Sequence, residues 1–120
     1  MLRYREITIG KNKYLCVLSN RVIARMEEEG IDRGSMATSK TQVRDILRII
    51  CMMIESGSRY AAMMSLGEYG TISLEDLQDL TGTEDYSGFI DLFTELAQGR
   101  RNVDAEPQGN APADREAPGN

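Results

Sequence analysis

Side chains able to do chemistry are few in this chain, and their types narrow what it can do. There is no histidine, so the commonest general base and the commonest metal ligand are both missing. The two cysteines, Cys16 and Cys51, sit far apart in separate apolar runs. That placement fits buried, reduced thiols better than a disulfide or a redox pair. Gly10-Lys11 and Gly34-Ser35 are isolated, without the spacing of a phosphate-cradling loop or a Gly-x-Gly-x-x-Gly fingerprint. Glu75, Asp76 and Asp79 could be drawn as cation ligands, but they fall on an expected helix. Calcium loops instead set oxygen ligands at alternate positions around a glycine turn. Gly82-Thr83-Glu84-Asp85 comes closer to such a loop, yet it lacks the spaced acids and the closing Glu, and Asp85 fits a helix N-cap. The expectation is a protein with no catalytic site, no cofactor and no metal.

What remains is binding chemistry. Of the seven methionines, Met26, Met52, Met53, Met63 and Met64 fall in expected helices. Core filling explains them, and an adaptable apolar groove for a partner's helix is the alternative, because methionine re-packs readily. Glu27-Glu28-Glu29 closes an expected helix against the macrodipole, with Arg21 and Arg25 at offsetting helical spacing.

Charge points the same way. Over 120 residues, Lys+Arg 14 stand against Asp+Glu 19, a net of −5, which argues against a nucleic-acid footprint. Residues 1–59 carry eleven Lys/Arg and seven acids, whereas residues 60–99 carry eight acids and no Lys or Arg. Such a block is a solvated acidic face, or a surface that meets a basic partner or the basic half of another copy. The N-terminus has no apolar core of a secretory signal. The longest apolar run, Ile49 to Ile54, is about a third of a membrane span. A soluble intracellular protein with no membrane partner is expected.

The elements that must position these residues follow from local signals. Tyr4–Ile9 and Tyr14–Leu18 read as a hairpin around turn residues 10–13. Ser19 caps a helix from Asn20 to about Glu29, with Leu18 and Ile23 spaced as a hydrophobic staple and Gly30 as its stop. Residues 31–38 read as a loop. Ser39-Lys40-Thr41-Gln42 resembles a capping box opening the most apolar helix, through Val43, Ile46, Leu47, Ile50 and Ile54. Gly57 is expected to end that helix, and a second piece to run from Arg59 to Leu66. Ser73 caps a short helix, Leu74 to Leu80, closed by Gly82. Asp85 caps a last one through Phe89, Ile90, Phe93 and Leu96, ending at Gly99. All three prolines lie in residues 99–120 with little apolar bulk, so that segment is expected to be a disordered tail. The fold expected is mainly α: a folded domain over 1–98 with a short N-terminal β-hairpin and about five helices in a small bundle.

The opening residues also resemble a known family. Ile7-Thr8-Ile9-Gly10-Lys11, then Lys13-Tyr14 through Cys16 to Leu18, then Ser19-Asn20-Arg21-Val22-Ile23 and Met26-Glu27-Glu28-Glu29-Gly30 look like the start of tail assembly chaperones of long-tailed bacteriophages and prophages. The remainder is similar in helix order and size. The resemblance implies a non-enzymatic protein of the host bacterial cytoplasm that coats the tape measure protein. It would keep that protein's long helix soluble, recruit the major tail (tube) protein and be absent from the mature virion. Many such proteins also occur in a longer, frameshifted form, for which 99–120 would be the linker. A groove involving Met52, Met53, Met63 and Met64 would take the tape measure segment, and acids such as Glu68, Glu75, Asp76 and Asp79 would attract basic partners. A small acidic adaptor or inhibitor of a host protein, or another tail or connector morphogenesis part, is the competing reading.

Overall fold

A computed structural model describes residues 2–31 and 42–105. Strand β1 (Tyr4–Ile9) pairs antiparallel with β2 (Asn12–Val17), in a register running from Tyr4 opposite Val17 to Ile9 opposite Asn12. The connection is therefore two residues, Gly10-Lys11, tighter than the expected 10–13. Gly10 has φ +62 in its first place, as a II′ connection requires, and such turns match the twist of the flanking strands. β2 is buried from Tyr14 through Val17, whereas β1 is exposed up to Glu6 and buries Ile9.

Helix α1 (Asn20–Glu28) starts as the sequence indicates. Ser19 Oγ accepts from the Val22 amide at 3.4 Å, and Leu18 is buried with Ile23 packed against the core. It ends in a Schellman motif. The Ile31 amide donates to the Met26 carbonyl at 2.8 Å and the Gly30 amide to Glu27 at 3.1 Å, with Gly30 at φ +74. Ile31 and Met26 are both buried, supplying the apolar contact that accompanies such an end.

Helix α2 (Val43–Met63) is the centre of the molecule and packs on β2, α1 and the two later helices. The Ser39 capping box lies outside the described residues, and Gln42 precedes α2 without a side-chain cap. Gly57 does not end the helix. It is buried inside it, where a Cβ would stand 1.8 Å from the Leu15 carbonyl oxygen. The glycine is there so that helix and strand backbones can touch. The two expected helices are consequently one, and among the described residues four α-helices follow the hairpin.

The end of α2 uses a non-glycine residue where glycine is usual. Ser65 holds φ 56 while the Leu66 amide reaches back to the Ala61 carbonyl at 2.9 Å. Helix α3 (Leu74–Leu80) is capped by Ser73 Oγ, 3.1 Å from the Asp76 amide, and anchored by buried Leu77. Gly82 does not close α3. It precedes a single 3-10 turn, Thr83–Asp85, and Asp85 Oδ2 accepts from the Gly82 amide at 2.9 Å. Asp85 thus caps that turn, which runs directly into α4 (Tyr86–Ala105). Phe89, Leu92, Phe93 and Leu96 bury one face of α4 in the core. The helix continues through Gly99, so the segment expected to be tail begins inside it; residues 106–120 lie outside the described residues.

Candidate partner-binding surface

The four methionines proposed for one groove divide into two pairs. Met52 and Met53, at mid-helix on α2, are 3% and 0% exposed. They are core, and Met53 offers nothing to a partner. Met63 and Met64, at the end of α2, are 74% and 44% exposed. The split falls along one continuous helix, with Met52 and Met53 in its buried middle and Met63 and Met64 at its C-terminal end.

The end of α2 and the residues after it line an open cleft of about 450 Å³, with Ala61, Ala62, Ser65, Glu68 and Tyr69 among its walls but neither Met63 nor Met64. Its far wall is fixed by hydrogen bonds. Ser58 Oγ donates to the Tyr69 carbonyl at 2.7 Å, and the Tyr69 hydroxyl donates to Glu6 Oε2 at 2.7 Å. The accepting carboxylate raises the Tyr69 pKa. Glu68 is the one acid of the expected set that lines this cleft, and it shares the cleft with none of the four methionines.

Glu75, Asp76 and Asp79 lie exposed on α3. Among the described residues no Lys or Arg is within ion-pair distance of any of them. Glu75 and Asp76 occupy the first turn, where the helix dipole favours them. These acids are held by the Leu77 anchor and belong to a different element from the methionine pair.

A second cleft, of about 470 Å³, lies between α1, α2 and residues 71–74. Its polar wall is an ion-pair network. Arg25 reaches Glu55 at 2.6 Å and Glu29 at 3.7 Å, while Arg48 bonds Glu29 and reaches Asp45 at 3.3 Å. Each link is partly exposed and worth about 0–1 kcal/mol, but together they orient α1 on α2. They also answer the acidic run at 27–29: Glu29 is matched by Arg25 as its spacing indicates and by Arg48, which sequence spacing could not reveal. Arg21 makes no such pair among the described residues. Cys51 lines this cleft with its thiol pKa raised to about 11, by burial first and then by Glu55, with Arg25 opposing. Burial pushes Cys16 to about 12. Both are protonated thiols at neutral pH.

Among the described residues there is no group of three or more His, Cys, Asp or Glu able to hold a metal ion, and no helix long and apolar enough to cross a membrane. Comparison of the chain with protein-family models, curated proteins and solved structures finds no match.

Proposed function

We infer that this is a non-enzymatic binding protein, acting as a tail assembly chaperone that keeps a tape measure protein soluble and recruits tail tube subunits in the host cytoplasm. The observation that carries the reading is the exposure of Met63 and Met64 at the end of α2, next to a stretch with no Lys or Arg. A flexible apolar pair lets a surface adapt to the apolar face of a long helix. The neighbouring acids draw in that helix's basic residues and set its orientation. The resemblance of the opening hairpin and α1 to tail assembly chaperones supplies the particular partner. Opposite charge in residues 1–59 and 60–99 also allows copies to meet head to tail while no partner is bound.

Co-expression tests this. A tape measure fragment encoded beside this chain should become soluble and co-elute with it, and the complex should weaken as salt is raised. A cognate fragment that stays insoluble with and without the chain would sink the reading.

A further inference from the structure

The hairpin has one covered edge and one open one. β2 is flanked by β1 on one side and, at Gly57, is met by α2 through the Leu15 carbonyl. The outer edge of β1 pairs with no third strand among the described residues. An open edge presents unpaired N–H and C=O groups and templates another strand.

Beside β1 is a cleft of about 290 Å³, shared with the 3-10 turn and the first half of α4. Its floor is apolar, from Ile7, Phe89 and Leu92, and its walls carry Glu84, Asp85, Asp91 and Glu95. Among the described residues the one cation lining it is Arg5, which is bonded to Glu95. Glu84 and Asp91 are exposed, and among the described residues neither has a cation within ion-pair distance. Gly88 also lines the cleft, and a Cβ there would meet nothing within 4 Å.

We propose that β1 and this cleft receive an extended segment of a partner protein, added to β1 as a third strand, in which every second residue faces the cleft and these are in turn basic, apolar and basic. Strand addition satisfies the open edge, and alternate side chains then point inward, as in other edge-binding modes. Of those inward side chains the apolar one rests on Phe89 and Leu92, and the basic ones two residues before and after it meet Glu84 and Asp91. Arg5 already shows how a guanidinium lies against Glu95 from the strand side. A docked helix would leave the β1 edge unpaired, which is why the segment is extended. Gly88 supports an occupant independently. A helical glycine is less stable than alanine, and nothing among the described residues lies where a Cβ would stand, in contrast to Gly57. A segment passing close over α4 fills that space. The inference does not depend on the tape measure being the partner.

The test is a titration of the isotope-labelled full chain with an end-blocked peptide, Thr-Lys-Thr-Val-Thr-Arg-Thr, whose Lys, Val and Arg share one face of a strand. Its controls are the same peptide with Glu for each Lys and Arg, and the same peptide N-methylated at alternate residues. Amide shifts should be confined to β1 and residues 84–95, with the basic peptide binding about tenfold or more tighter than either control. Gly88→Leu and Asp91→Lys should each weaken it about fivefold or more while the helical spectrum and melting temperature are retained. Equal binding of the acidic peptide, or no binding of any peptide, overturns the proposal. Equal binding of the methylated peptide overturns strand addition. Shifts in β1 that grow with chain concentration alone would make a second copy the occupant, and also overturn it.

Discussion

Cys51 shows how neighbours set the chemistry of one side chain. With its pKa raised from 9.0 to about 11, it holds about a hundredfold less thiolate at neutral pH than an ordinary cysteine. Alkylation of Cys51 should therefore keep accelerating with pH beyond the range where a free thiol levels off. Glu55→Gln should speed it and Arg25→Ala should slow it, read by mass spectrometry of the modified peptide. Cys16, raised to about 12, bears on stability. The fold retains a proton that the unfolded chain begins to lose near pH 9, so the contribution is complete below that and fades as pH rises towards 12. By about pH 10.5 the loss from Cys16 is of order 2 kcal/mol. Denaturant melts at stepped pH should show this decline, and Cys16→Ala should flatten it.

Elements were legible where their signals are local. Ser19, Gly30 and Ser73 act within a few residues of themselves, so their roles as caps and stop could be read from neighbouring letters. Gly57 could not be read that way, because its meaning lies in a carbonyl on β2 rather than in α2. The same limit hid Arg48 as a partner of Glu29, and hid the division of the methionines, which is set by what packs on each part of α2. Asp85 was legible as a cap but not as the cap of a preceding 3-10 turn. Two substitutions on α2 separate these cases. Gly57→Ala forces a Cβ against Leu15 and should destabilise the protein by about 2–3 kcal/mol, as overpacked cores do. Ser65→Gly relieves a left-handed residue at the helix end and should stabilise by about 0.5 kcal/mol after glycine's own entropy is counted. Urea denaturation reads both, and a Gly57→Ala variant as stable as the parent would mean that α2 and β2 do not approach so closely at Leu15.

At the scale of the whole molecule, α2 joins the part that holds the fold together to the part offered to a partner. Its middle is enclosed by β2, α1, α3 and α4, and its last turn emerges with Met63 and Met64 exposed. Stability and binding should therefore respond to different methionines of one helix. Met53→Ala opens a cavity among fully buried neighbours and should cost about 2–5 kcal/mol. The double change Met63→Ser and Met64→Ser removes apolar area that is already largely in water, so it should move stability by no more than about 0.5 kcal/mol. It should nevertheless abolish most of the gain in soluble tape measure fragment, because that pair supplies the adaptable apolar contact. Melting curves and the co-expression yield, taken on the same three proteins, read the two effects separately. If the double serine variant solubilises the fragment as well as the parent chain, the end of α2 is not the binding surface, and the acids of α3 become the place to look.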